Sequence, residues 1–270
     1  MRRSPSLALM GGGRVSQSFV ARLPRLAPRL GPVAALSYRV ACRIANTLRA
    51  GDAVRDYAPF DVCKLILVWV PEEQLAATLT GLASAPVNWT AKSVVLCGSW
   101  RGSEALEELE RRGASCASLD PIDTSESKFL AEGGALAIQR IRDLIGGARE
   151  RVMEVSRESK PLYLAGMTLA GDVLVPLLVA AAESLRAAGL ASAPAASILQ
   201  VAVHQATRGC VKAGRKAWRG PLAVGERAAL ERQIEALRAA NPALEKFFRR
   251  TAAAALELFN KDAAWLGGDV

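Results

Sequence analysis

The sequence predicts a doubly wound, mostly parallel α/β sheet followed by an all-helical domain. Three observations predict it. Short apolar runs rich in β-formers alternate with helical patterns through the first half of the chain. The first of these runs, Leu7–Met10, breaks into Gly11-Gly12-Gly13 and then resumes at helical spacing through Val15, Phe19, Val20 and Leu23. Beyond Pro161 only helical periodicity remains.

At 270 residues the chain is long enough for two domains, and a composition shift near Ser156–Pro161 places them at 1–156 and 157–270. A formal charge of +9 suits an anionic ligand, but no dense Lys/Arg block or basic–aromatic interleaving points to nucleic acid. The five cysteines (Cys42, Cys63, Cys97, Cys116, Cys210) are scattered, with no C-x-x-C pair and a single histidine in the chain. That argues against a metal site or a disulfide framework and for a reducing compartment. The apolar run after Met1-Arg2-Arg3 is too short for a signal peptide. The stretch Leu162–Ala182 approaches membrane-spanning length but contains Asp172 and Pro176, so it is expected to be a buried helix. A cytoplasmic protein without membrane or nucleic-acid partners is expected.

Taken in order, the glycine turn predicts strand, tight turn and helix, the opening unit of a dinucleotide site. Gly11 is expected to turn with positive φ, and Gly13 to leave no Cβ between chain and pyrophosphate. Arg14 and Val15 then open a helix whose free N–H groups and dipole face the phosphate. Ser16 stands where the third glycine of G-x-G-x-x-G belongs. That helix is expected to reach about Leu30, cut short by Pro24 and Pro28. A second strand, Val33–Arg39, ends in Ser37 and Arg39 with no carboxylate before Asp52. An arginine there pairs with a 2′-phosphate and favours NADP over NAD; the alternative is a surface residue at the start of the next helix.

A helix over Val40–Ala50 precedes the buried strand Lys64–Pro71, and a helix over Glu73–Leu82 follows it. Next come the strand Ser93–Cys97, ending in Gly98-Ser99, and a helix over Ser103–Arg112 with Ser103 as its N-cap. The strand Ala114–Leu119, an edge strand Phe129–Ala131 and a helix over Ala135–Ile145 complete this half. Ligands of such sheets lie outside the strand carboxyl ends, which adds Val70, Pro71, Cys97 and Gly98 to the cofactor-binding candidates. Helices are then expected over about 161–188, 193–213, 224–240 and 242–265. The first is apolar all round and must be covered by its neighbours, by a partner subunit, or by both.

The chain resembles the bacterial Rossmann-like oxidoreductases that carry a C-terminal helical domain of unknown function. These are similar to pyrroline-5-carboxylate reductase and the deazaflavin-dependent NADP oxidoreductases of the 6-phosphogluconate dehydrogenase-like group. Gly11–Val15, Val68–Glu72, Val94–Cys97, Ser118–Pro121, Lys160–Tyr163, Leu169–Asp172 and Gly220–Ala223 carry the resemblance, in order along the chain. It implies a Rossmann domain, NADP and a homodimer formed through the helical domain. It departs at Asp120 and Leu164, where the family pattern has histidine, at Asp172, where it has asparagine, and at Val224–Glu226, where it has Arg-Gly-Asp. The cofactor half is therefore better kept than the substrate half.

Hydride transfer needs a group to move a proton. Lys160, at the entrance to the long helix, is a candidate to orient a carboxylate or protonate the product; the alternative is a solvated lysine before proline. Asp172 is a costly carboxylate in an apolar helix unless used or paired, for instance with an arginine of 208–219. Tyr163 shares the face of Lys160 and offers a hydroxyl or core packing. Asp120 and Thr124 line the same cleft or cap a turn, His204 is a helix residue rather than a catalyst, and Arg219 reaches an anion or lies exposed. The expectation is an NADP-dependent oxidoreductase acting on a small anionic carbonyl or imine. The alternative is a catalytically diverged NADP(H)-binding protein.

Overall fold

In a computed structural model that describes residues 6–14, 18–123, 128–146 and 149–267, the apolar runs become strands of one sheet. They are β1 (Leu7–Gly11), β2 (Leu30–Ala34), β3 (Asp52–Ala53), β4 (Leu65–Trp69), β5 (Ser93–Cys97), β6 (Ser115–Asp123), β7 (Lys128–Gly133) and β8 (Val152–Glu154). Their spatial order is β3-β2-β1-β4-β5-β6-β7-β8. All neighbours pair in parallel except β6 and β7. Leu65–Val68 and Ser93–Cys97 are buried throughout because cores cover both faces of the sheet. Those cores are completed by α1 (Tyr38–Leu48), α2 (Glu72–Ala83), α3 (Glu107–Arg111) and α4 (Ala135–Ile145).

The first crossover departs from expectation. Between Ser18 and β2 the described backbone forms only two 3-10 turns, Val20–Arg22 and Ala27–Arg29. Pro24 and Pro28 remove two backbone donors from that stretch. The helix dipole invoked for the pyrophosphate is therefore missing among the described residues. The second strand also sits earlier than predicted, ending at Ala34. Ser37 then serves as N-cap of α1, its hydroxyl accepting the Val40 amide, and Arg39 lies in that helix's first turn. At the far edge β7 is an interior strand, because β8 pairs outside it.

The chain divides into two units, Met1–Gly166 and Met167–Val270, with the division later than the composition shift at 156. The first turns of the long helix belong to the sheet unit because Lys160 is buried there. That helix comprises α5 (Lys160–Thr168), a π turn (Leu169–Val173) and α6 (Leu174–Ala187). Pro176 cannot donate to the carbonyl four residues back and crowds that turn; the wider π turn relieves the crowding.

The helical unit continues through α7 (Ser192–Ala213), α8 (Pro221–Val224), α9 (Arg227–Ala240) and α10 (Pro242–Leu258). Its own core is small: Ile234, Ala252, Leu256 and Leu266 are buried, with Trp218 and Phe248 against them. Within the single chain the long helix is not covered by its neighbours, which leaves the expected partner subunit as the part of that expectation still open. Leu169, Val175 and Val179 are exposed, as are Ile198 and Val201 on α7. By length and composition the stretch Lys160–Ala187 is apolar enough to cross a membrane.

Candidate active site

The parallel register pairs Cys97 with Leu119, so Asp120 projects one residue beyond the carboxyl end of β5. The antiparallel return of β7 sets Glu132 opposite Ser118. Strand β8 runs parallel to β7 and so away from this edge; the turn Ser156–Ser159 then leads into α5, whose first residue, Lys160, reaches Asp120. The Lys160 ammonium is bonded to an oxygen of Asp120, and the lysine is 1% exposed. Gly102 leaves room for its stem: a Cβ there would stand 3.2 Å from the Lys160 Cγ. Burial pushes the Asp120 carboxyl above its ordinary value, against the pull of Lys160.

Glu132 is fully buried beneath this pair. It accepts hydrogen bonds from the Ser103 amide (2.9 Å), the Ser103 hydroxyl (2.5 Å) and the Ser118 hydroxyl (2.9 Å). Burial raises its carboxyl, but those donors and the Lys160 charge together hold it below its ordinary value. Arg157 closes the network, its Nε 3.2 Å from the Ser103 Oγ and its guanidinium forked onto Glu110. Ser103 is thus a buried link to Glu132 rather than the N-cap of an α-helix; a 3-10 turn (Ser103–Leu106) starts there.

Tyr163 lies one turn along α5, its ring 5.2 Å from the Lys160 Nζ. It is half-buried, and burial together with the Asp120 charge holds its hydroxyl above its ordinary pKa. The Tyr163 hydroxyl therefore keeps its proton at neutral pH.

At the other end of this edge the glycine turn exchanges the expected roles. Gly13, not Gly11, has positive φ, at 59°. Gly11 is small because a Cβ would meet the Ile44 Cδ1 at 2.8 Å. Gly12 donates to the Trp69 carbonyl, and a Cβ on it would fall 2.7 Å from the Pro71 Cδ. The Trp69 indole lies beside both Gly13 and Gly98, so the loops after β1 and β5 meet across it. Ser99 donates to Glu72 at 2.9 Å and Arg101 pairs with the same carboxylate at 2.8 Å, which ties the loop after β5 to the start of α2.

The structure thus brings together Lys160, Tyr163 and Asp120, and sets Gly11, Gly13, Arg14, Ser37, Arg39, Val70, Pro71 and Gly98 at strand ends of the same edge. Cys97 points into the core, where burial pushes its thiol up, so its side chain does not line a cleft. Asp172 is exposed, in the π turn, with no ion pair among the described residues. The burial that made it costly is absent. His204 and Arg219 are also exposed. Val15 and Thr124 lie outside the described residues. Glu132, Ser103, Ser118 and Arg157 escaped the sequence reading. The available signal was Glu132 itself, a carboxylate ending the apolar run Phe129–Ala131.

Residues 127–255 match the family model "Domain of unknown function (DUF2520)". No curated protein matches the chain in sequence. Among solved structures it is similar to a protein of Bacteroides fragilis described as an NADP oxidoreductase (15% identity, TM-score 0.69, 95% of this chain and 100% of that one). It is likewise similar to a reductive aminase from Aspergillus terreus in complex with NADPH and ethyl levulinate (14%, TM-score 0.69, 98% of each chain). A third is an imine reductase from Myxococcus stipitatus, a variant in complex with NAD+ (13%, TM-score 0.68, 95% of each). The chain therefore matches the DUF2520 model over residues 127–255 and shares the fold of these solved structures, a sheet domain followed by a helical one.

Proposed function

We propose that the protein is an NADP-dependent oxidoreductase that transfers hydride to a small, anionic imine or carbonyl. The observation that carries the proposal is the Lys160–Asp120 pair beneath Tyr163, at the sheet edge that also holds the glycine turn and the tip of β2. Solved structures of this fold that hold NADPH or NAD+ support it.

The residues present fit the cofactor at its adenosine end, where Ser37 and Arg39 stand and the first turn of α1 holds no acid. The glycine turn offers backbone without side chains, but no described helix reinforces it. A bound NADPH supplies the hydride. Tyr163 then gives its proton to the nitrogen or oxygen that gains the electron pair, and its raised pKa keeps it protonated for that step. Lys160 places a positive charge under the Tyr163 ring and stabilises the tyrosinate left behind. Asp120 and Glu132 hold the ammonium in place and limit its net field.

The open apolar face of the long helix and the thin core of its unit support a homodimer formed through the helical domain. The scattered free thiols support a cytoplasmic setting. One observation favours a second reading, a diverged NADP(H)-binding protein without turnover: the Lys160 ammonium is already engaged by Asp120 and shut off from water. A titration with NADPH and NADH followed by nicotinamide fluorescence, then a screen of imines and keto acids, tests both. Binding with turnover supports the enzyme, binding alone supports the second reading, and failure to bind either nucleotide overturns both.

A further inference from the structure

The parallel pairing of β2 with β3 aligns Val33 with Ala53 and continues through the bond from the Val54 amide to the Val33 carbonyl, 2.9 Å. Chain leaving β3 therefore emerges beside chain leaving β2. This brings Arg55 to Tyr38: the guanidinium carbon lies 4.0 Å from the ring centroid. Arg39, the neighbour of Tyr38, is exposed, and so is Arg55. Neither is in an ion pair among the described residues. The acid nearest in sequence, Asp56, is occupied by the Ala58 amide at 3.0 Å. The first turn of α1 carries no carboxylate. Arg55 thus carries an unpaired guanidinium whose stack on Tyr38 fixes its plane, and the residue after Tyr38 in the chain carries a second exposed one.

We propose that Arg55, held on the Tyr38 ring, is the second arm of a clamp whose first arm is Arg39, and that the clamp recognises the phosphate on the adenosine 2′-oxygen of NADPH. The inference rests on the nucleotide reading above and deepens it by assigning the discrimination between NADPH and NADH. A phosphate monoester carries close to two charges at neutral pH and three acceptor oxygens, more than one guanidinium satisfies. Planar forks on two sides match it, whereas the hydroxyl of NADH gives them nothing to bind. Tyr38 acts as a positioning residue that holds Arg55 away from bulk solvent on one face.

The test is calorimetric or fluorescence titration of the full chain with NADPH and, separately, NADH. Wild type is expected to prefer NADPH. Arg55→Ala is expected to weaken NADPH roughly tenfold while leaving NADH unchanged. Tyr38→Ala is expected to weaken NADPH by a smaller factor, and Tyr38→Phe to restore it. Arg232→Ala, which removes an exposed charge on α9, is expected to change neither nucleotide. Equal loss of both nucleotides in Arg55→Ala, no loss of either, or a matching loss in Arg232→Ala overturns the clamp and leaves the nucleotide reading standing. A wild type that binds neither nucleotide overturns both.

Discussion

The Lys160 ammonium and the Asp120 carboxylate are bonded to each other with the lysine shut off from water. Removing one partner strands the other charge. Asp120→Asn and Lys160→Met are each expected to lower stability by about 3–5 kcal/mol, and the double variant to recover much of that. Urea unfolding of all four proteins measures the coupling. Losses that simply add would show that the two residues do not depend on each other.

Tyr163→Phe removes a hydroxyl and keeps the ring over Lys160. A fall in kcat of about 100-fold or more, with the unfolding midpoint unchanged, is the expected result. Unchanged turnover would move the proton donor elsewhere.

Glu132 has a depressed folded-state pKa, set by burial opposed and outweighed by the Ser103 and Ser118 donors and Lys160. Its contribution is fully present above the unfolded value, about 4.3, and is lost as pH falls through the lower folded value. Asp120 is raised instead, so its effect has the opposite sign: it favours folding below the unfolded value and fades as pH rises through the folded one. Chemical denaturation between about pH 3 and pH 6 is expected to show an acid loss of stability in wild type that flattens in Glu132→Gln. An unchanged acid limb would assign that loss to other carboxylates.

Gly13 holds φ at 59°, and a Cβ there would lie 3.3 Å from the Pro71 Cγ. Gly13→Ala is expected to cost about 1–2 kcal/mol from left-handed backbone alone. The same change at Gly11 meets the flexible end of Ile44 and no unusual φ. Thermal unfolding of the two variants separates conformational strain from crowding.

Val175 and Val179 are half or more exposed on α6. If a second copy covers them, wild type elutes with the mass of two chains, and Val175→Glu with Val179→Glu elutes with the mass of one. Light scattering after size exclusion reads the difference, and a monomeric wild type would remove the homodimer.

Much of the sheet was legible because strands buried on both faces leave continuous apolar runs such as Leu65–Val70 and Ser93–Cys97. The two-residue β3 and the three-residue β8 have no such run; pairing with a neighbour creates them. Among the described residues the expected continuation of the first helix to Leu30 is replaced by two 3-10 turns, because Pro24 and Pro28 lack the N–H groups that continuation needs. Within the site, Lys160 and Tyr163 are three residues apart, so their shared face was visible in the sequence. Glu132, Ser103 and Arg157 meet only through tertiary structure: Ser103 and Glu132 are 29 residues apart and Arg157 and Ser103 are 54 apart. Spacing carries no trace of such partners. Asp172 is exposed in the single chain, because apolar neighbours in sequence bring burial only when something packs over them.

The strand that returns antiparallel, β7, has a consequence for the order in which the chain assembles. The Lys160–Asp120 bond spans 40 residues, and β7, α4 and β8 lie within that span. An ammonium cannot leave water before its counter-charge is fixed, so the first turn of α5 settles only after the hairpin has closed. Loss of Asp120 should then act chiefly by hastening escape from the native state rather than by slowing the approach to it.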